Sequence, residues 1–396
     1  MVASGPSGIK VLHILGSLNM GGAERWILEL LRYWHRQQAG TPQFDFLATS
    51  GEAGLFDEEI RAFGCKIFYL PYGRRTLLPF VRGFRRILRN GGYTVLHDHQ
   101  GWVSGWHFLM GVGLLPRVRI AHAHNTALEI DDMRADRRLL AAIGRALIAR
   151  FATHVTAASR HLLTAYGFDG ASFDRIPKAA LYCGLNPGRF RGDRAAMQAS
   201  VRREFGWPPD SKIILFAGRV DEDMDVACPR IWKNSTFALS VGLQCARRDA
   251  RLRMLFAGAL SPAVPALEQR VDAAGFSGRV VFAGVRQDIE RLMLASDLLL
   301  FPSRAEGLGM VAVEAQAAGL PVLASTNVPR ECVIVPSLYH ALSLREPLES
   351  WADKVMEILA MPRVPAEQCH DALDHSDFSI ANSVRQIMNI YRPVAA

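Results

Sequence analysis

Residues 10–34 read KVLHILGSLNMGGAERWILELLRYW. Residues 10–15 form a short, nearly all-apolar run of the kind shown by parallel strands buried on both faces. A glycine-containing loop follows at 16–22. Trp26, Ile27, Leu30, Leu31 and Trp34 then recur at helical spacing. Strand, glycine loop and helix, in that order, open a Rossmann-like unit. Further strand-like runs lie at 44–47, 66–70, 95–97, 119–122 and 154–157, most of them separated by helical patterns. The theme restarts with KIILFAGRV at 212–220, an apolar run that ends on a glycine. RMLFAG (253–258), RVVFAG (279–284), DLLLF (297–301) and residues 321–324 succeed it. The chain is therefore expected to be α/β, with two successive doubly wound halves. The boundary is expected within 186–210, where the Gly-, Pro- and Arg-rich GLNPGRFRGD (184–193) reads as a linker.

The length of 396 residues suits two domains. A hydrophobic content of 49% with 21% charged residues excludes general disorder, and 33 Gly with 20 Pro exclude a collagen-like or linker-dominated chain. The net charge of +8 is unevenly placed: 23 of the 46 basic residues but only 14 of the 38 acidic ones fall within 1–190. That half is expected to meet something anionic, whether nucleic acid, a membrane surface or a phosphorylated substrate. A general preference for Arg, with only six Lys in the chain, explains the choice of base but not the asymmetry. The six cysteines form no CxxC and no close pairs, so a disulfide framework or structural zinc is not expected and a reducing cytosol fits. The N-terminus does not read as a signal peptide, and no run of about 18 apolar residues suggests a membrane span. Two Arg-rich stretches, 74–89 and 134–151, read as basic amphipathic helices. Each is either an ordinary solvated face or a contact for an anionic membrane surface.

The most specific motif is FPSRAEGLGMVAVEAQAAGLPV, residues 301–322. An apolar strand ends at Phe301. Glu306 precedes Gly307, Leu308 and Gly309, a helical stretch runs from about Met310 to Ala318, and Gly319 and Pro321 stop it. Glycines at a helix start let backbone N–H groups approach a phosphate, whose charge the helix N-terminus favours. A carboxylate just before them would lie beside the group attached to that phosphate. A second carboxylate, Glu314, two turns on, could accept hydrogen bonds from sugar or ribose hydroxyls.

The pair Glu306-x7-Glu314 in this setting resembles the signature of the retaining glycosyltransferases of family 4, most closely the bacterial exopolysaccharide or capsule type. The resemblance extends over nearly the whole chain. It takes in LGSLNMGGAE, RIAHAHNT (119–126), ATHVTAASR (152–160), LFAGR, GVRQDIERLMLASDLLLFPS and a closing helix at 378–391. It implies the GT-B fold, two facing Rossmann-like domains with a cleft between them. The first would be an acceptor-binding domain at 1–188, joined by the final helix at about 377–396. The second would be a nucleotide-sugar-binding domain at 189–376. The resemblance further implies that Glu306 contacts the donor sugar and Glu314 the nucleotide ribose. Arg219 and Lys233 would clamp the donor diphosphate as electrostatic catalysts. Gly307, Leu308, Gly309 and Met310 would line the donor site, and Gly21 and Gly22 would let the first-domain loop approach the diphosphate. His124 would lie near the reacting centre. The mechanism implied is front-face attack with the leaving phosphate as base, without a metal or other cofactor. The sequence departs from the pattern at Lys233. It stands fourteen residues after Arg219, where family members place it five or six after, because the acidic segment 220–232 looks inserted.

Other readings stand beside these. His122, Asn125 and His99 are candidates for the acceptor side, with His97 near them, although a lone histidine is more often structural. Glu129, Asp131, Asp132 and Asp136 read as a solvated loop and helix start rather than a metal site, and no metal is assigned. The partners expected are a nucleotide-sugar donor, UDP-linked by preference, and a glycan or polyprenyl-diphosphate-linked acceptor. The latter would place the enzyme in the cytoplasm, peripheral on the inner membrane face. A sugar-nucleotide epimerase or NAD-dependent oxidoreductase is the alternative enzyme class, but residues 16–22 do not spell GxGxxG. A non-catalytic binding protein is the third reading. Nucleic acid is not expected, because no aromatic-basic motif or helix-turn-helix pattern is present.

Overall fold

The computed structural model describes residues 8–19, 21–37, 42–124, 135–221 and 232–392. The chain divides into two compact units, Met1–Leu185 with Asp377–Ala396, and Asn186–Ser376. In the first unit the chain runs β1 (Lys10–Leu15), α1 (Gly22–Gln37), β2 (Gln43–Ala48), α2 (Asp57–Ala62), β3 (Lys66–Tyr69), α3 (Leu77–Gly91) and β4 (Val95–Asp98). It continues through α4 (Ser104–Gly111), β5 (Val118–Ala123), α5 (Ala135–Phe151), β6 (His154–Ala157), α6 (Arg160–Ala165) and β7 (Lys178–Ala180). The described strands form one sheet in the order β3-β2-β1-β4-β5-β6-β7, all parallel. The chain leaves β1 in one direction and returns beside it as β4. A crevice therefore opens at the carboxyl ends of β1 and β4, where the connections part.

The second unit runs α7 (Arg194–Glu204), β8 (Lys212–Ala217), α8 (Ser235–Arg248), β9 (Leu252–Ala257), α9 (Val264–Ala273), β10 (Val280–Phe282), α10 (Ile289–Ala295) and β11 (Leu298–Phe301). It ends with α11 (Met310–Ala317), β12 (Val322–Ser325), β13 (Tyr339–Leu342), α12 (Leu348–Ala360) and α13 (Ala366–Asp374). Its sheet order is β10-β9-β8-β11-β12-β13, again all parallel, with the switch point between β8 and β11. The last helix, α14 (Ile380–Tyr391), belongs to the first unit.

These sheets are buried because their strands are apolar on both faces. Five of the six residues of β1 are buried, and so are five of six in β8. The stripe of α1 covers one face of the first sheet through Trp26, Ile27, Leu30, Leu31 and Trp34. The opposite core gathers Phe80, Phe84, Phe108, Ile148 and Leu162. Trp351, Phe216, Phe256 and Leu300 anchor the second unit's core.

Several expectations from sequence need correcting. The stretch 184–193 is not a loose linker. Asn186 Oδ1 accepts from the Gly188 amide at the start of a 3-10 turn, Pro187–Phe190. Phe190 is buried, its carbonyl lies 3.2 Å from His370 Nε2, and Arg189 pairs with Glu290. The helix expected at 74–89 begins only at Leu77. Its buried stripe is Phe80, Phe84 and Leu88, while Leu77 and Leu78 are exposed. In α5 the buried stripe is small, Ala141, Gly144 and Ile148. It leaves Leu139, Leu140 and Ile143 exposed among arginines, so this helix is less cleanly amphipathic than expected. Arg134 and the acidic residues Glu129, Asp131 and Asp132 lie outside the described residues. Two strands, β7 and β13, had not been expected, because KAA and YHAL carry no apolar run. Among the described residues, no helix is long and apolar enough to cross a membrane.

Candidate active site

The site in the second unit grows out of the carboxyl ends of β8 and β11. Beyond β8, Gly218 and then Arg219 follow, and the Arg219 side chain is exposed. Gly258, at the end of β9, packs so closely that a Cβ there would lie 2.1 Å from the Gly218 carbonyl oxygen. Beyond β11, Pro302, Ser303 and Arg304 lead to Glu306. Gly309 then takes a left-handed conformation (φ 90°, ψ 50°) as the N-cap of α11. Leu308 is buried, and Glu314 is buried in the second turn of that helix. Gly307 and Gly309 are buried and Met310 is partly so, which puts the glycine-rich turn directly at the helix N-terminus, where a phosphate is favoured.

Lys233 Nζ lies 2.6 Å from Glu306 Oε1, and both side chains are largely shielded from solvent. The ammonium also sits 5.8 Å from the Phe301 ring centroid. Lys233 thus stands beside Glu306 despite its fourteen-residue separation from Arg219. Residues 222–231 are outside the described ones, but the two ends of the segment are fastened by one side chain. The buried Asp221 carboxylate accepts hydrogen bonds from the Trp232 and Lys233 amides through Oδ1. Its Oδ2 accepts from the Ser235 amide and hydroxyl. Those donors include the first amide of α8, so Asp221 closes the loop and caps the helix together. Asn234, with a left-handed φ of 59°, donates from Nδ2 to the Pro302 carbonyl, and the Arg304 amide donates to the Trp232 carbonyl. The β8 and β11 loops are thereby tied to each other on both sides of Lys233. Gln316, buried inside α11, donates to the Ala312 and Cys332 carbonyls and accepts from the Ile334 and Val335 amides. Asp221 and Gln316 were missed in the sequence. Asp221 looked like part of an acidic insertion, and a buried glutamine has no spacing signature.

In the first unit a group of imidazoles is packed beneath Trp26 of α1. His13 on β1, His97 on β4, His122 on β5, and His99 and His124 just beyond β4 and β5 converge. His99 Nε2 is 2.9 Å from His13 Nδ1, and His99 Nδ1 is 2.9 Å from His124 Nε2. His97 Nε2 is 3.1 Å from His122 Nδ1, and His97 Nδ1 is 2.8 Å from the Tyr391 hydroxyl of α14. The rings of His122 and His124 lie 3.9 Å apart. Burial holds all five neutral. It draws His13 and His124 down to about 3, and His97, His99 and His122 fall well below the ordinary value. Mutual repulsion between the imidazolium forms adds to this for His97, His99 and His122. His99, His122 and His124 are thus brought together as one group, with His97 and His13 behind them. Asn125 lies outside the described residues. The sequence had pointed to no metal-ligating set, yet two triads here, His13–His97–His99 and His99–His122–His124, offer nitrogens within 4.8 Å of one another. Near the start of α1, Glu24 folds back over Gly21, where a Cβ would lie 2.2 Å from Glu24 Oε2, and burial raises this carboxyl to about 7. A Cβ at Gly21 would meet only the carboxylate end of Glu24, which could swing aside, and nothing stands within 4 Å of a Cβ at Gly22.

Comparison with known proteins agrees with this architecture. Residues 20–178 match the family described as Glycosyltransferase Family 4, and residues 211–361 match Glycosyl transferases group 1. EpsF of Bacillus subtilis strain 168, a glycosyltransferase by assignment only, is 29% identical over 390 residues, covering 96% of each chain. The crystal structure of HepE from Anabaena, in complex with UDP and glucose, superposes with a TM-score of 0.71 at 19% identity. It covers 96% of this chain and 98% of that one. WaaG, a glycosyltransferase involved in lipopolysaccharide biosynthesis, superposes with a TM-score of 0.68 at 15% identity, over 96% and 99% of the two chains. The fold is that of the GT-B glycosyltransferases, and two successive stretches of the chain match glycosyltransferase family models.

Proposed function

We propose that the protein is a retaining hexosyltransferase. It would move a sugar from a nucleotide-diphosphate sugar to a glycan or polyprenyl-diphosphate-linked acceptor in exopolysaccharide or related polysaccharide synthesis. The observation that carries this reading is the Lys233–Glu306 pair beside the glycine-rich N-terminus of α11, at the switch point of the second sheet. A donor diphosphate bound there meets the helix N-terminus, Arg219 and Lys233. As the bond from the anomeric carbon to the phosphate oxygen breaks, the charge gathering on the leaving diphosphate is held by these two cations, without a carboxylate-held metal. Glu306 releases Lys233 and turns to the sugar hydroxyls, and Glu314 accepts from the ribose. The acceptor oxygen attacks the face the phosphate leaves, and its proton passes to the departing phosphate oxygen. Retention and the part played by His124 near the reacting centre follow from the family resemblance. So do the acceptor-side roles of His99, His122 and Asn125.

UDP is the favoured nucleotide, on the strength of the HepE complexes with UDP and with UDP-glucose. The exposed leucines of α3 and α5, lying among arginines, suit a peripheral contact with the anionic inner face of the cytoplasmic membrane. Flotation with anionic against neutral vesicles tests that contact. Thermal unfolding in the presence of UDP, GDP and ADP tests the donor site, with Glu314→Ala beside the wild type. A rise with UDP that shrinks in the variant is expected. A site at a hundredfold excess of ligand over Kd gains about 2.7 kcal/mol. No rise with any nucleotide would overturn the reading. Lys233→Ala should lower kcat about 10²–10³-fold.

A further inference from the structure

The histidine group in the first unit does more than a packing role requires. Two of its buried nitrogens, His122 Nε2 and His13 Nε2, have no hydrogen-bond partner. An unpartnered buried polar atom costs about 1–3 kcal/mol, so a fold seldom keeps one without a use. His122 belongs to a set, with His99 and His124, in which each residue offers a nitrogen within 4.8 Å of the others, and Nε2 is the His122 nitrogen left without a bond. Zn–N bonds of 2.0–2.1 Å imply separations of about 3.4 Å between tetrahedral ligands, so a modest closure completes the site.

We propose that His99 Nδ1, His122 Nε2 and His124 Nε2 form a three-histidine site for a borderline divalent ion, zinc first among them. The second layer of bonds supports this choice. With His122 bound through Nε2, its Nδ1–H donates to His97 Nε2, and His97 Nδ1–H donates to the Tyr391 hydroxyl. With His99 bound through Nδ1, its Nε2–H donates to His13 Nδ1. Both ligand tautomers are therefore set by an outer partner, the arrangement metal-binding histidines show. The ion takes the place of the proton now shared between His99 Nδ1 and His124 Nε2. The inner triad is a poorer site, since both nitrogens of His97 are already bonded. An all-imidazole donor set selects Zn²⁺, Co²⁺, Ni²⁺ or Cu²⁺ and disfavours Mg²⁺ and Mn²⁺. His124 is the partly exposed member of the set, which gives an ion its way in. The proposal is independent of the donor site in the second unit.

The test uses tag-free full-length protein, stripped with chelator and titrated with Co²⁺. The readouts are stoichiometry and visible d–d absorption, followed by displacement with Zn²⁺. One equivalent bound with a tetrahedral-type spectrum is expected. His122→Asn keeps an amide group where Nδ1 meets His97 but has no Nε2. His99→Gln keeps one where Nε2 meets His13 but has no Nδ1. Each should weaken Co²⁺ binding at least a hundredfold while circular dichroism shows a folded chain. His375→Ala, at an exposed position in the other unit, should bind as wild type. No uptake by the wild type, uptake unchanged in both ligand variants, or loss in His375→Ala would each overturn the site. UDP-induced stabilisation should be the same in stripped and loaded protein, so failure here leaves the transferase reading standing, and the reverse.

Discussion

At Asp221 one carboxylate carries four hydrogen bonds, three from backbone amides and one from a hydroxyl, and it is buried. Asn offers one acceptor oxygen in place of two and points an N–H₂ at a donor. Asp221→Asn should therefore lose about 2 kcal/mol, read as a lower urea midpoint. It should also lower transfer activity, because Lys233 rides on the amide that Asp221 holds. Unchanged activity with lowered stability would separate the cap from the placement of Lys233. Glu24 gives a pH signature of its own. Burial raises its carboxyl from 4.5 to about 7. A group raised in the folded state adds stability that is complete below the unfolded value and is lost as pH rises through the folded one. Glu24→Gln should thus leave stability at pH 4.5 nearly unaltered. At pH 8.5 it should raise stability by on the order of 2 kcal/mol, because no charge then has to be buried. Thermal melts at both values decide it, and equal shifts at the two would contradict the assignment.

The α11 element shows what the sequence made legible and what it did not. Glycines before a helix, with Gly319 and Pro321 after it, mark both ends of α11 in the sequence, and the element runs from Met310 to Ala317. Gly309 is needed twice over: its φ is 90°, and a Cβ would lie 3.0 Å from Val328 Cγ1 and 3.1 Å from Phe301 Cε1. Gly309→Ala should cost about 1–3 kcal/mol and weaken nucleotide binding, measured by denaturation and by UDP titration. A variant as stable as wild type would show that the turn relaxes freely. The strands from β1 to β6 and from β8 to β12 were readable because buried parallel strands are continuous apolar runs. β7 and β13 were not, since KAA and YHAL carry no apolar run and their identity comes from the neighbour they pair with. The histidine group was half readable. His97 and His99, like His122 and His124, stand two apart, which puts each pair on one face. That the pairs meet each other and His13 depends on the order β1-β4-β5 and its register, with His13 opposite His97 and His97 opposite Ile120. No local pattern records a register between strands so far apart in sequence.

Over the whole molecule, the chain enters the second unit at residue 186 and leaves it at 376, so the first unit is completed only by a segment that follows the second unit in the chain. That segment is held tightly. Phe378, Ile380, Ile387 and Tyr391 are buried. The Ser383 hydroxyl accepts from the Trp26 indole and donates to the Tyr182 carbonyl. The Leu185 amide donates to the Phe378 carbonyl, and the Ile380 amide to the Leu185 carbonyl. Gly184 leaves room for this helix, because a Cβ there would lie 2.6 Å from Ser383 Cβ. The second unit has its own core and a contiguous chain. Ending the chain after Ser376 removes four buried side chains worth about 1.5–3 kcal/mol each, which approaches or exceeds the total stability of an ordinary domain. The truncated protein should show one cooperative unfolding transition in place of two. Its first unit should be open to protease at 25 °C, and its second unit should stay protected. Limited proteolysis with mass identification of the surviving fragment reads this directly. A fragment spanning the second unit is the expected product, whereas equal resistance of both units would mean that the first folds without α14. If the second unit also fell apart, its stability would depend on the first, and the two sheets would be one cooperative body.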